Sequence, residues 1–203
     1  MGSSLNTHGY YRISISLRNG HKLLRSNGER AFIMAQLQDL LSPRLIIGDI
    51  PAYRQMASCV DLLAFSIKPS AIELLIFSID KMITKDFMHR ITARLAQHQY
   101  EYQTARYASS PELQKTIRIL QGPHDALTES LLIHQLHEDW EFDRYSSIGF
   151  FLHDRRGDWM RLWRLAQLYD NDPEIYRDLI SYHCAGGTSL GALATPHLPL
   201  LAS

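Results

Sequence analysis

Apolar residues in this 203-residue chain fall into short runs with two periods, one typical of strands and one typical of helices. Residues 10–17 alternate apolar and polar side chains, and residues 61–67 and 72–78 are two almost continuous apolar runs around a turn that contains Pro69. Alternation predicts a strand with one buried face, and short continuous runs predict central strands covered by helices. Proline suits the turn because it lacks a backbone donor and has a fixed φ. A fourth strand is predicted over residues 116–120.

Apolar residues three and four positions apart predict helices between these strands and after them. The first helix can be capped by Ser26 or Asn27 and ends before Pro43, because the residue before a proline disfavours helix. The last helix begins at Asp172-Pro173, an acidic cap followed by proline in the first turn. The predicted helical ranges are 28–41, 80–102, 125–138, 159–169 and 173–183.

The order of elements up to residue 120 is strand, helix, strand, strand, helix, strand. This order predicts an α+β fold of the ferredoxin-like, split βαβ kind, in which two helices cover one face of an antiparallel sheet. We expect a domain over residues 10–140, with an extra segment at 44–60, and a C-terminal helical extension over 141–184. Residues 185–203 are rich in Gly, Ala, Pro and Leu and predict an irregular tail. Many unrelated functions use this fold, so it does not decide function.

Composition and the lengths of the apolar runs indicate what general kind of protein this is. With 45% hydrophobic and 21% charged residues, the chain is expected to be a globular protein with a real core. We expect a cytoplasmic protein, because no apolar run approaches the length of a membrane span and the first residues lack a signal-peptide pattern. Cys59 and Cys184 are far apart in sequence and are expected to be free thiols in a reducing compartment.

The charges are unevenly distributed although the formal net charge is zero. Lys and Arg outnumber acids in residues 1–30 and 81–118, whereas residues 121–143 contain six acids and no Lys or Arg. A neutral total can therefore hide a basic face that meets phosphates, and an ordinary solvated surface is the alternative.

Three stretches, in order along the chain, resemble the single-tyrosine HUH transposases, most closely the REP-associated tyrosine transposase branch. The first is YYRISISLRNGHKLLRSNGERAFI at residues 10–33, and the second is LLAFSIKPSAIELLIF at residues 62–77. The third is RYSSIGFFL at residues 144–152, followed by DNDPEIYRDLI at 170–180. Together they cover most of residues 10–181, and their order gives the resemblance its weight.

The resemblance implies a DNA-cutting chemistry whose key residues are replaced here. In that family two histidines flanking a hydrophobic residue hold Mg²⁺ or Mn²⁺, and a tyrosine becomes linked to the DNA 5′ end. Alignment on Pro69 places the two histidine positions at Ala71 and Glu73, and the nucleophile position falls at Leu132. Alanine has no ligand atom and leucine cannot attack phosphorus, so we expect a degenerate site without a metal cofactor. Glu73 is interpreted as a partner of Lys68 or a strand-end charge, with residual metal binding as the alternative.

We therefore expect a transposase-derived protein that binds a DNA hairpin or single strand through phosphate contacts and does not cleave it. One alternative is a divergent, active transposase or nuclease with a displaced metal site. Another is a protein-interaction adaptor that uses the acidic residues 125–143 and no longer binds DNA. The resemblance also leaves a homodimer open. The predicted nucleic-acid contacts are Arg12, Arg18, Lys22, Arg25, Arg90, Arg94, Arg155 and Arg156.

Two further groups of residues each have two possible interpretations, one functional and one structural. His134 and His137 lie three residues apart on a predicted helix, a spacing that can hold a metal, although a capping or solvated role needs no third ligand. Trp140, Trp159 and Trp163 can stack on bases, but at their spacing packing in the core is the default interpretation.

Overall fold

The computed structural model describes residues 8–18, 21–43, 56–103, 112–135, 140–153 and 155–184. Most of the predicted extra segment, the whole predicted tail and His137 lie outside these ranges. Cys59 is a buried free thiol, as expected. None of the helices in the described ranges has both the length and the apolar composition that crossing a membrane requires.

Four antiparallel strands form one sheet in the order β2-β3-β1-β4, which is the strand order of the ferredoxin-like, split βαβ fold. The predicted fold class is therefore confirmed. Pro69 lies in the β2–β3 turn, as predicted, and the Lys68 backbone N–H closes that turn by donating to the Ala71 carbonyl over 2.8 Å. The strands are β1 (Gly9–Leu17), β2 (Val60–Ile67), β3 (Ala71–Ser78) and β4 (Leu113–Leu120).

Six α-helices are present in the described residues. The first is capped by Ser26, whose Oγ accepts a hydrogen bond from the Glu29 backbone N–H over 3.2 Å. The predicted helix at 125–138 ends at His134 in the structure. The helices are α1 (Asn27–Leu41), α2 (Lys81–Gln103), α3 (Pro123–His134), α4 (Ile148–Leu152), α5 (Trp163–Ala166) and α6 (Pro173–Cys184).

The prediction of a helix over residues 159–169 is wrong for its first residues. Met160 forms a parallel bridge with Leu62 of β2, and the Arg161 backbone N–H donates to the Leu62 carbonyl over 2.9 Å. Because these backbone groups bond to the sheet, the helix begins only at Trp163. It continues as a 3-10 turn over Gln167–Tyr169.

The alternation along β1 separates the two faces of the sheet. Its odd-numbered residues 11, 13 and 15 are fully buried, whereas Arg12 belongs to the opposite face. Helix α3 lies on the Arg12 face, because its Glu129 forms an ion pair with Arg12. Helices α1 and α2 pack on each other beneath the other face, where Phe32 and His98 stack with ring centroids 4.0 Å apart.

The outer edge of β2 is covered by the stretch that begins at Tyr145. The Ile67 backbone N–H donates to the Tyr145 carbonyl, and the Ser147 backbone N–H donates to the Phe65 carbonyl, each over 2.9 Å. An edge strand otherwise offers unpaired backbone groups to other chains. The stretch at 144–152 is therefore part of the sheet's edge, and it brings its side chains next to the N-terminus of α1.

Candidate functional site

Glu73 occupies the second histidine position of the resemblance and is engaged by two neighbours from β1. Its Oε1 accepts a hydrogen bond from Ser14 Oγ over 2.8 Å, and its Oε2 accepts one from Arg12 Nε over 3.2 Å. The register of the sheet causes this, because Ser14 is directly opposite Glu73 in the β1–β3 pair. The residue is 9% exposed. The carboxylate is therefore closed off by the sheet and by α3.

A second carboxylate extends this network across the sheet. Glu129 on α3 forms ion pairs with Arg12 of β1 and Arg118 of β4, and its side chain is only 7% exposed. A buried carboxylate is costly unless cations and hydrogen-bond donors compensate it. Two acids and two arginines thus tie α3 to three strands of the sheet. We call Arg12, Glu73, Arg118 and Glu129 the ion-pair network.

The residues at the metal position that the resemblance implies do not fit a divalent ion. Ala71 supplies no donor atom, so Glu73 is the one remaining ligand, and its carboxylate already accepts hydrogen bonds from Ser14 and Arg12. The described residues contain no group of three or more His, Cys, Asp or Glu side chains that could hold a metal. Leu132, at the nucleophile position, is a partly buried residue of α3.

The sequence interpretation of Glu73 as a partner of Lys68 is corrected by these contacts, since its bonded partners are Arg12 and Ser14. Lys68 is also buried, and burial lowers the pKa of its ammonium group to about 8. The charges of Glu73 and Asp143 act in the opposite direction and raise that pKa. Lys68 therefore lies close enough to interact electrostatically with Glu73 and Arg12 of the network, although it does not bond to them.

His134, a candidate metal ligand from the sequence, is instead the centre of a buried hydrogen-bond chain. Its Nε2 is 2.7 Å from Ser147 Oγ and its Nδ1 is 2.8 Å from Tyr176 Oη. Tyr176 donates to Ser130 Oγ over 3.0 Å, and Ser130 donates to the Leu127 carbonyl over 2.7 Å. Since the Tyr176 hydroxyl donates its one proton to Ser130, we assign the His134 proton to Nδ1. The Ser147 hydroxyl, which is also 3.2 Å from the Phe65 carbonyl, then donates to Nε2 over the shorter distance.

With both ring nitrogens bonded, His134 has no lone pair left for a metal. Burial, together with the smaller effect of the positive charge of Lys68, lowers the pKa of its imidazole to about 3. The ring is 2% exposed and packs edge-on against Phe151 with centroids 5.0 Å apart. His134 is thus a neutral structural residue that joins α3, α6 and the stretch covering β2.

We expect Tyr176→Phe to lower the free energy of unfolding by about 1–3 kcal/mol, because it leaves buried hydrogen-bonding groups of His134 and Ser130 without a partner. The ring itself keeps its stack on Phe151, where the centroids are 4.4 Å apart. Denaturant unfolding followed by circular dichroism measures the change. Tyr182→Phe, on the same helix and 39% exposed, is the matched control and should leave the midpoint unchanged. Equal midpoints for both variants would show that the chain of hydroxyls contributes nothing.

The structure distributes the predicted nucleic-acid contacts over separate surfaces. The prediction that Arg12 contacts nucleic acid is corrected, because its guanidinium group is bound to Glu73 and Glu129 in the ion-pair network and does not lie on an exposed rim. Arg18 is exposed and pairs with Glu112 over 2.7 Å. On the opposite face of the sheet from Arg12, Arg90 pairs with Asp86 over 2.9 Å and Arg94 pairs with Asp39 over 3.0 Å. Lys22, Arg25 and Arg156 are exposed.

Only Arg155 among the predicted contacts lies in a group of arginines. Arg30 of α1 and Arg144 both lie over the ring of Tyr145, with their guanidinium carbons 4.2 Å and 4.8 Å from its centroid. Arg155 donates to the Arg144 carbonyl over 3.3 Å and packs over Phe150. Within the described residues these three side chains form no ion pair with an acid. We call Arg30, Arg144 and Arg155 the arginine cluster.

Sequence reasoning missed Arg30 and Arg144. The signal was present in the RYSSIGFFL stretch, where Arg144 precedes the tyrosine that both arginines contact. Arg30 joins them because the Tyr145 hydroxyl donates to the Asn27 carbonyl over 3.0 Å and fixes the ring against the first turn of α1. The cluster is therefore assembled from three distant segments.

The described acids of residues 125–143 have different environments. Glu129 is buried in the ion-pair network. Glu141 pairs with Arg177 of α6 over 3.5 Å, and Asp143 Oδ1 accepts from the Tyr145 backbone N–H over 2.9 Å. The described acids of this stretch thus bond to different parts of the protein.

The tryptophans separate into different environments. Trp159 is 5% exposed and packs against Phe65 and Phe150, as expected for a core residue. Trp163 is 55% exposed and stacks with Arg164, which also lies 3.6 Å from the ring centroid of Phe77. The expectation of a core position is therefore wrong for Trp163.

Comparison with known proteins returns no matching family model and no matching curated protein. Two solved structures are similar to this chain. One is a REP-associated tyrosine transposase bound to a REP hairpin, with 9% identity and a TM-score of 0.48 over 74% of this chain and 84% of that chain. The other, assigned as a transposase, is from Deinococcus radiodurans R1, with 12% identity and a TM-score of 0.40 over 65% of this chain and 94% of that chain. Both are described as transposases.

Proposed function

We propose that this chain is a transposase-derived protein that binds a DNA hairpin or single strand and does not cut it. The observation that carries the proposal is the state of Glu73. In the resemblance this position belongs to a metal ligand, and here its carboxylate is bonded to Arg12 and Ser14 beneath α3. A carboxylate held in this way bonds to its neighbours in the sheet, and without a second ligand at position 71 it supplies too few donors to hold a metal against a phosphodiester.

The loss of the other chemical groups supports the same proposal. Ala71 and Leu132 replace a ligand and a nucleophile with side chains that can do neither task. The scaffold around them is nevertheless intact, because the ferredoxin-like sheet and its two helices are retained. A protein with such a scaffold and a group of arginines that form no ion pair among the described residues, without the reaction, is suited to binding phosphates reversibly.

A binding assay, run in parallel with an assay for a covalent protein–DNA adduct, tests the proposal. We expect the full-length protein to bind a fluorescein-labelled DNA hairpin, with an affinity that falls steeply as salt is raised, because released counterions drive phosphate binding. The same mixture with Mn²⁺ should give no shifted band on a denaturing gel. A 5′-linked protein–DNA adduct would overturn the absence of cleavage, and undetectable binding at low salt would overturn the binding function.

A further inference from the structure

We infer that the arginine cluster and an exposed aromatic pair beside it form a platform for single-stranded nucleic acid, an inference that rests on the proposed function. The aromatic pair consists of Phe142 and His153, whose rings are stacked with centroids 5.8 Å apart and planes 12° from parallel. Phe142 is 78% exposed, although a large apolar ring is normally buried. Its face is therefore open to a further planar ring.

The aromatic pair and the arginine cluster belong to the same small surface. The His153 Nε2 is 3.3 Å from the Glu141 carbonyl, and Arg155 Nη1 donates to the Arg144 carbonyl over 3.3 Å. These two contacts hold the segment before Tyr145 against the segment after α4. The rings and the guanidinium groups are thus fixed next to each other by backbone carbonyls.

Among the described residues, the arginine cluster bonds to neutral groups and forms no ion pair, so the described part of this surface carries positive charge. Arg30 hydrogen-bonds to the Asn27 side chain and lies over Tyr145, and Arg144 also contacts that ring. Of the neighbouring acids, Glu141 is paired with Arg177 and Asp143 accepts from a backbone N–H. Arginines on aromatic rings keep their outer N–H groups available for phosphate oxygens.

The combination favours a single strand over a duplex. Bases in a duplex are stacked on each other and cannot stack on a protein ring, whereas unpaired bases can. A platform with one open aromatic face and several cations beside it matches a short run of nucleotides, with a base on Phe142 and the flanking phosphates on the arginine cluster. The loop or the unpaired end of a hairpin meets the same requirement.

Fluorescence anisotropy with the full-length protein and labelled oligothymidylate tests the platform. We expect Phe142→Ala to weaken binding about tenfold, through loss of base stacking. The double variant Arg144→Gln and Arg155→Gln should weaken it at least tenfold and flatten the salt dependence, by about 0.7 in the logarithmic slope for each lost phosphate contact. Inorganic polyphosphate, which has no bases, should compete less well after the arginine substitutions and be unaffected by Phe142→Ala.

Matched controls separate failure of the platform from failure of the proposed function. Lys85→Gln and Lys115→Gln remove exposed cations of α2 and β4 that lie outside the platform, and should change affinity less than twofold. Thermal unfolding checks that the variants fold, with Arg144→Gln alone, an exposed site, as the mildest substitution. If the wild type binds and the platform variants bind equally well, the platform is wrong and the function stands. If the wild type binds neither oligothymidylate nor a hairpin, the proposed function fails.

Discussion

Replacement of Glu129 by alanine is expected to lower the free energy of unfolding by about 1.5–3 kcal/mol, because it removes a buried carboxylate that forms charge-assisted bonds with two arginines. Glu129 is the point at which α3 bonds to β1 and β4, through Arg12 and Arg118. Arg12 retains Glu73 in the variant, whereas Arg118 loses its acid. Urea unfolding of the full-length protein at neutral pH measures the loss.

A surface pair supplies the matched control for this prediction. Glu112→Ala breaks an ion pair with Arg18 in which both side chains are about seven-tenths exposed, and such pairs contribute at most about 1 kcal/mol. Glu129→Gln keeps the shape of the side chain and removes its charge, so its effect should lie between the two. Similar losses for Glu129→Ala and Glu112→Ala would mean that the network does not act as buried charge.

The coupling between Glu129 and Glu73 should also be measurable, because both acids bond to Arg12. When one acid is removed, the other still compensates the guanidinium group; when both are removed, that group is left alone in a buried site. The double variant is therefore expected to lose more stability than the sum of the single variants. Such non-additivity would distinguish a shared network from two independent contacts.

The fold of the chain was predictable because its determinants are local. Alternation in β1, the apolar runs of β2 and β3 and the proline between them follow from the period of a strand and the chemistry of a turn. The helical spacing identified α1 and α2 with small errors at their ends. Where the prediction failed, around Met160, backbone groups bond to an edge of the sheet that no local pattern reveals.

The site was less predictable because its partners are distant in sequence. Arg12 is 61 residues from Glu73 and 117 residues from Glu129, so their bonds depend on sheet register and on how α3 packs. The resemblance drew attention to Glu73 as a metal-ligand position, and the interpretation of the residues gave it Lys68 as a partner, whereas its side chain bonds to Arg12 and Ser14. Charge counting selected Arg12 as a phosphate contact, although its charge is compensated inside the protein.

Arg155 and Arg30 of the arginine cluster illustrate the same limit of prediction from sequence. Arg155 was selected from the sequence, and Arg30 was not, although both belong to one surface in the structure. The ring of Tyr145, anchored to the Asn27 carbonyl, brings Arg30 to Arg144, and Arg155 joins them by bonding to the Arg144 carbonyl. A basic residue becomes a candidate contact when its neighbours leave its charge uncompensated, and that property appears only after folding.

Stability is expected to fall steeply in mild acid because of His134. Its folded-state pKa of about 3 lies below the ordinary value of 6.5, so the unfolded chain takes up a proton that the folded protein rejects. The contribution of this residue is complete above pH 6.5 and is lost as pH falls toward 3. Between these limits the expected slope is about 1.4 kcal/mol per pH unit.

Denaturant unfolding of the wild type and of His134→Gln across this pH range isolates the effect. The variant should be less stable at neutral pH, because glutamine cannot bond to both Ser147 and Tyr176 in the geometry of the imidazole. Its difference from the wild type should be constant above pH 7 and shrink below pH 6, since the variant has no proton to gain at this position. Parallel stability curves for the two proteins down to pH 4 would mean that His134 is accessible to protons in the folded state. That result would mean that the bonds of His134 to Ser147 and Tyr176 do not keep the ring neutral, and that they do not hold α3 and α6 on the sheet in the way proposed here.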